Sequence, residues 1–443
     1  MSTTRAPGPQ APEADGERAL ADAGGRPLGV YVHIPFCRRR CDYCAFATWT
    51  DRDHLWESYV AACRAELARP GGVAGPLPAA GDPETSPTAT GRTSAGPTSA
   101  GPTSAGPTSA GGPATSVFFG GGTPSLLPAD LLVSIIGALR ESVGIAAGAE
   151  VTVECNPETV TGTKLAQFRA NGVTRLSFGA QSMVPHVLES LGRQHDPVSV
   201  RRAVELAGEA GFASSYNLDL IFGAAGETMA DWRASLDAVL ALEPRPAHIS
   251  AYALTIEAGT PLATQPWRHP SDDDQAEKYL LADTVLSDAG FEWYEISNWA
   301  TPGARCDHNL LYWSQGEYRG IGCAAHSHLV LADGTARRWW NVRTPERYCR
   351  LIDSGAAVEA SGETLSPEQR DWEKLVLSLR TRQGVPAGAA PEELFEAGLV
   401  EWQPDAAAPG GIGPGAGRAV LTPRGRLLAN EVAIKLVKPV LPQ

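Results

Sequence analysis

"GVYVHIPFCRRRCDYC", residues 29–44, joins a short apolar run to three cysteines, Cys37, Cys41 and Cys44, spaced C-x3-C-x2-C. The run at 29–34 has the composition of a buried strand, so the cysteines occupy the loop leaving its C-terminal end. Five more such runs follow, at 116–119, 150–155, 175–178, 217–222 and 248–254. Segments of helical period lie between them, at 55–67, 129–142, 163–170, 198–208 and 229–242. Strand-helix units in succession predict a parallel sheet with helical crossovers. Six units rather than eight predict an open, partial (β/α)6 TIM-like barrel.

Chemistry in such barrels gathers at the C-terminal ends of the strands. The polar and glycine-rich motifs fall there: the cysteine loop, GGGTPS (120–125), ECNPE (154–158), GAQS (179–182), Asp219 and YAL (252–254). Soft thiolates suit zinc or iron-sulfur clusters. Structural zinc closes with four ligands, commonly from paired knuckles, and recruiting His33 would need an atypical H-x3-C arm. A 4Fe-4S cluster held by three cysteines leaves one iron open to a non-protein ligand. The spacing favours the open cluster. The other cysteines, Cys63, Cys155, Cys306, Cys323 and Cys349, read as small buried apolar residues.

The 443 residues carry 37 Lys plus Arg against 50 Asp plus Glu, a net charge of -13. That balance disfavours sequence-independent binding to nucleic acid or anionic membranes. The N-terminus lacks the apolar core of a signal peptide, and no stretch approaches the roughly 20 apolar residues of a membrane span. A cytoplasmic location is expected. Residues 1–26 read as a disordered tail, and 70–115, with its TSAGP repeat, as a linker-like insertion.

The barrel is expected over 27–255 and an extension over 256–360. In the extension, 272–288 looks helical, FEWYEISNWA looks like one strand, and CDHNLLYW and GIGCAAHSHL look like loops. A small winged-helix-like α+β module is expected over 361–443. Its parts are helices at 367–380 and 392–397, GLVEW, the turn PGGIGPGAG, RAVLTPRG and a last helix at 424–436. The module is not distinctly basic, which favours packing or a lid over DNA binding.

C-x3-C-x2-C after the first strand of a partial barrel resembles the radical S-adenosylmethionine (SAM) superfamily. The resemblance implies that SAM completes the open iron through its amino and carboxylate groups, and that an electron from the cluster cleaves its sulfonium to a 5'-deoxyadenosyl radical. In that setting the amides of GGGTP can bind the amino-acid end of SAM. Glu154 and Asp219 can take its ammonium or ribose, unless they form ion pairs with Arg175 or Arg193.

Over residues 29–436, leaving out the insertion, the motifs YVHIPFC, CDYC, GGGTPS, ECNPE, FGAQS, LGRQH, NLDLIFG and LTPRGRLLAN resemble the oxygen-independent coproporphyrinogen III oxidase group. By that similarity Cys37, Cys41 and Cys44 hold the cluster and Tyr31 and Tyr43 flank SAM. Gly121, Gly122, Thr123, Glu154, Gln181, Arg193, Asp219 and Ala253 line its pocket. The oxidases continue the motif as C-x3-C-x2-C-x-C, whereas Cys44 here is followed by Ala45 and Phe46. FGAAGET also departs, where relatives have Leu-Pro in place of Ala224 and Ala225.

With HNLLYW (His308, Asn309, Tyr312, Trp313), the missing fourth cysteine makes the chain resemble the HemW type of haem chaperone. That implies haem as cargo, passed to acceptors such as respiratory cytochromes, and leaves a homodimer open. The alternative is oxidative decarboxylation of coproporphyrinogen III to protoporphyrinogen IX. His308 is then a candidate axial ligand, with Tyr312 and Trp313 to pack on a porphyrin face. A histidine hydrogen-bonded inside an aromatic core is the plainer reading. His326 and His328 compete as donors, as do the thiols of Cys306 and Cys323.

Overall fold

The computed structural model describes residues 26–69, 112–404 and 417–437. Nearly all of the expected tail, the TSAGP repeat and the PGGIGPGAG turn lie outside the described residues. Six strands, β1 (Leu28–Ile34), β2 (Ala114–Gly121), β3 (Ile145–Cys155), β4 (Arg175–Gln181), β5 (Tyr216–Phe222) and β6 (His248–Ala253), pair in parallel in chain order. The connecting helices are α1 (Trp56–Ala68), α2 (Ala129–Ser142), α3 (Gly162–Ala170), α4 (Pro185–Ser190), α5 (Pro197–Glu209) and α6 (Met229–Leu240). This is the expected unclosed barrel.

The alternation of β1 explains its placement. Val30, Val32 and Ile34 are fully buried and belong to the core shared with the outer helices, while Tyr31 and His33 take the concave face. On α2 the buried residues Leu132, Ile135, Ile136 and Leu139 recur at helical spacing, so one stripe packs inward. Entry into α5 is set by Asp196, whose carboxylate accepts the Ser199 amide at 2.8 Å, and α6 opens on a reciprocal Thr228–Asp231 cap.

The extension continues the same sheet. It comprises α7 (Asp272–Asp288), β7 (Glu292–Glu295), β8 (Asn298–Ala300), α8 (Asp307–Trp313), β9 (Glu317–Ile321), β10 (His326–Val330), β11 (Ala336–Asn341), α9 (Pro345–Asp353) and β12 (Glu359–Leu365). The strand order is β12-β11-β10-β9-β1-β2-β3-β4-β5-β6-β8-β7. β9 returns from far along the chain to lie parallel to β1. Three expectations are corrected here. FEWYEISNWA is a hairpin, turned where the Glu295 carboxylate accepts the Ser297 amide. CDHNLLYW is largely a two-turn helix, too short to show a period. GIGCAAHSHL is the end of β9, a turn and most of β10, and its glycines hide the strand pattern.

The expected boundary at 360/361 cuts through β12. Beyond it, α10 (Pro367–Leu379), β13 (Val385–Pro386), α11 (Glu392–Glu396), β14 (Val400–Pro404), β15 (Gly417–Leu421), α12 (Pro423–Leu427) and α13 (Ala429–Lys435) surround a second small core. Their strands order as β13-β15-β14. The single last helix is instead two, broken at Leu428, whose backbone leaves the helical region (φ -114°, ψ 29°). Arg426 ties this module to the sheet, pairing with Asp283 at 2.7 Å and lying 4.1 Å over the Trp293 ring.

Candidate functional site

At the C-terminal end of β1 the cysteine loop is tied down by backbone bonds at both ends: Cys37 N donates to Trp49 O (2.9 Å) and Trp49 N to Pro35 O (2.7 Å). His33 reaches the same loop. Its Nδ1 accepts from the Tyr31 hydroxyl (3.0 Å) and its Nε2 donates to Ala47 O (2.9 Å), with burial holding the ring neutral at a pKa of about 4. Two donors aim at the sulfurs: Arg193 Nη1 lies 3.4 Å from Cys41 Sγ and Thr123 Oγ1 3.7 Å from Cys37 Sγ. Arg193 is held in turn by Asn156 Oδ1 (2.8 Å) and Gly179 O (3.1 Å).

Among the described residues no three His, Cys, Asp or Glu side chains are gathered closely enough to hold one metal ion. Three thiols on a single loop, met by hydrogen-bond donors, suit a cluster that takes each sulfur on a different iron. The Tyr43 ring packs against an apolar nest of Val187, Leu191, Ala224, Leu254 and Leu262, while its hydroxyl stays beside the Cys41 thiol. A salt bridge from Asp42 to Arg268 (2.9 Å) fastens that side of the loop to the segment after β6. Ala253 stands exposed at the rim.

The glycine run does something other than expected. The amides of Gly121, Gly122 and Thr123 are all engaged within the protein, donating to Glu154 Oε2 (3.1 Å), Ile34 O (2.8 Å) and Phe36 O (2.8 Å). A Cβ on Gly122 would come within 2.7 Å of the Ile34 and Phe36 carbonyls. The motif therefore seats the cysteine loop instead of offering free amides to a ligand. Gln181 adopts a left-handed backbone (φ 63°) at a β4 irregularity, a conformation costing about 1–2 kcal/mol outside glycine. Strain of this kind at the rim has no signal in the sequence.

Below the mouth, Glu154 and Asp219 share a lumen. Asp219 accepts from Ser177 Oγ (2.9 Å) and Asn217 Nδ2 (2.8 Å). No cation pairs with either acid among the described residues: Arg175 pairs with Glu150 (3.6 Å) and Arg193 serves Cys41. Burial, then the Asp219 charge, push the Glu154 carboxyl up to about 8. Arg175 acts on Asp219 only from a distance, so two acids with no directly paired cation among the described residues fit a ligand that brings its own positive charge.

A pH dependence follows. The folded-state pKa of Glu154 is raised above the unfolded value of about 4.3, so the folded chain holds the extra proton between the two values. The stability this contributes is present below about 4.3 and lost as pH rises through about 8. Between pH 5 and 9 the ligand-free wild type should lose about 4 kcal/mol relative to Glu154→Gln. Urea unfolding of both chains at the two pH values measures this, and parallel stability profiles would refute it.

The opposite end of the barrel is plugged. α8 enters beneath β1–β3, where a side chain on Gly29 would collide with Leu311. The His308 amide donates to Glu150 Oε1 (3.1 Å). The His308 ring is hydrogen-bonded on both nitrogens, Nδ1 to Ser116 Oγ (2.9 Å) and Nε2 to Tyr312 OH (3.0 Å), and stacks on Phe118 at 5.3 Å. At 1% exposure, burial lowers its pKa to about 3. His308 is thus a floor residue with no free nitrogen, away from the cysteines. The remaining cavity, lined by Tyr31, Phe118, Glu154, Asp219, Tyr252 and His308 among others, holds about 150 Å³, below the roughly 300–1,000 Å³ of sites for drug-sized ligands. No helix of the described residues is long and apolar enough to cross a membrane.

A family model described as the radical SAM superfamily matches residues 109–239, which lie downstream of the cysteine loop. A protein of Mycobacterium tuberculosis named heme chaperone HemW is 38% identical over 94% of this chain and 97% of its own length. The Escherichia coli K12 protein of the same name is 33% identical over 76% and 79%. A Bos taurus protein named radical S-adenosyl methionine domain-containing protein 1, mitochondrial, is 31% identical over 88% and 75%. Among solved structures, coproporphyrinogen III oxidase (HemN) from E. coli, a radical SAM enzyme, superposes with a TM-score of 0.70 at 21% identity, covering 94% of this chain and 91% of that one. That likeness is one of fold.

Proposed function

Because the chain belongs to the heme chaperone HemW family of radical SAM proteins, we propose that it holds a 4Fe-4S cluster on Cys37, Cys41 and Cys44, binds SAM beside it, and carries haem to acceptor proteins. The cluster supplies one-electron chemistry toward the SAM sulfonium when both are bound. The chain's own contribution is positional. Arg193 and Thr123 donate to two of the three sulfurs, the GGGTP backbone clamps the loop, and the Glu154–Asp219 pair, which holds a proton on Glu154 up to about pH 8 in the ligand-free chain, releases it to supply negative charge when the cationic cosubstrate binds. The pairing of a three-thiol loop with two buried acids that have no directly paired cation among the described residues is the observation that carries the reading.

The oxidase alternative has less support. Phe46, at the position of the oxidases' fourth cysteine, is 67% exposed and offers no ligand. The small plugged lumen is also ill suited to enclosing a tetrapyrrole. Haem titration of the anaerobically reconstituted chain, with a parallel assay for coproporphyrinogen decarboxylation, tests the proposal. We expect one haem per chain and no protoporphyrinogen. Turnover without stoichiometric haem binding would replace the chaperone reading with the oxidase one.

A further inference from the structure

We infer that the axial imidazole for the haem cargo is His326, on the concave face of the β9–β12 extension, and not His308 on the barrel floor. The inference rests on the haem-carrying reading and assigns its ligand. It begins from all nine histidines of the chain. Four have both ring nitrogens hydrogen-bonded: His33, His195, His248 and His308. His186 faces Asp231 and His269 meets Leu262 O. His328 meets Gly316 O through Nδ1, and its Nε2, though unpartnered, is buried at 2% exposure where no porphyrin can reach it. Among the described residues, only His54 and His326 are exposed histidines with both nitrogens unengaged.

Register separates these two. Antiparallel pairing of His328 with Tyr318 sets His326 opposite Gly320, and Gly320 pairs with Tyr31 of β1. One row of the concave face therefore runs Phe118, Tyr31, Gly320, His326, Trp340 and Ser361 across β2, β1, β9, β10, β11 and β12. The row joins the wall of the lumen to an open shelf. The gap at Gly320 lets β10 begin hard against β9, because a Cβ there would strike the His326 carbonyl.

Trp340 stacks on the His326 ring at 5.6 Å with planes 25° apart, fixing the plane of the imidazole while leaving both nitrogens at its edge. α10 covers the next row, where Arg338 pairs with Glu373, and stops short of His326. Partial burial and the nearby Arg338 lower the His326 pKa, which favours the neutral, ligating form. An aromatic-flanked, neutral, accessible imidazole is what a ferric porphyrin needs from a protein that must later release it.

The test titrates hemin into the full reconstituted chain and into His326→Ala, His326→Gln, His308→Ala and His54→Ala, reading visible spectra and low-spin EPR signals. Both His326 variants should bind hemin at least tenfold more weakly and lose the imidazole-ligated spectrum. Added free imidazole should restore that spectrum in His326→Ala, and His54→Ala should match wild type. His308→Ala should keep the ligand spectrum while lowering the melting temperature. A wild-type spectrum in the His326 variants, or its loss in His308→Ala alone, overturns the assignment while leaving haem binding intact. A wild type that takes up no hemin overturns the chaperone reading itself.

Discussion

Replacing Cys37, Cys41 and Cys44 together by serine should leave less than about a tenth of the iron and acid-labile sulfide that the reconstituted wild type holds. A serine hydroxyl is a harder donor and does not ionise near neutrality, so it cannot substitute for a thiolate on iron. The loop itself should survive, because its frame is independent of the sulfurs. Cys37 N and Trp49 N bond to backbone carbonyls, Thr123 N bonds to Phe36 O, and Asp42 pairs with Arg268. The melting temperature of the ligand-free variant should therefore stay within a few degrees of wild type. Iron and sulfide analysis with a thermal melt checks both halves. Wild-type iron content in the triple variant would mean that the cluster is held elsewhere, and collapse of the fold would mean that the thiols pack the loop more than its backbone does.

Lys278→Ala should cost about 3–5 kcal/mol of stability, the typical loss when one partner of a buried ion pair is removed. The Lys278 side chain is fully buried on α7. Its ammonium lies 3.3 Å from Glu227 Oε2 and 2.6 Å from Asp274 Oδ2, and donates to the Glu227 carbonyl at 2.8 Å. Glu227 is also fully buried, and burial already pushes its carboxyl upward. Without the lysine that carboxylate is stranded or protonated, and the seam between α7 and the β5–α6 connection opens. At about 2–4 °C per kcal/mol for a large domain, a drop on the order of 10 °C is expected by calorimetry. The double change Lys278→Met with Glu227→Leu should recover only part of it, since the two apolar groups need no pairing with each other but leave the buried Gly223 amide, which donates to Glu227 Oε2 at 2.7 Å, without its acceptor. A single-variant loss below about 1 kcal/mol would show that Asp274 and water already screen the pair.

Local patterns carried much of this protein. The apolar runs and helical periods placed β1–β6 and the connecting helices other than the short α4, because each is decided by side chains a few positions apart. The same runs placed the cysteines at the mouth, since strand ends in a parallel barrel share a side, while Glu154 and Asp219 lie in the lumen below it. The sequence alone also determined that three thiols and no fourth follow the first strand.

What it left undecided depends on partners far along the chain. Nothing between 317 and 321 says that β9 will pair with β1, nearly 290 residues earlier, and short glycine-containing strands show no alternation to read. The HNLLYW motif looks like a ligand site until α8 is seen to plug the floor, where Ser116 and Tyr312 consume both nitrogens of His308. The GGGTP amides look free until the cysteine loop folds onto them. Whether a polar group is spent or available is a question of what lies within about 3 Å of it, and for these groups only the tertiary structure supplies that neighbour.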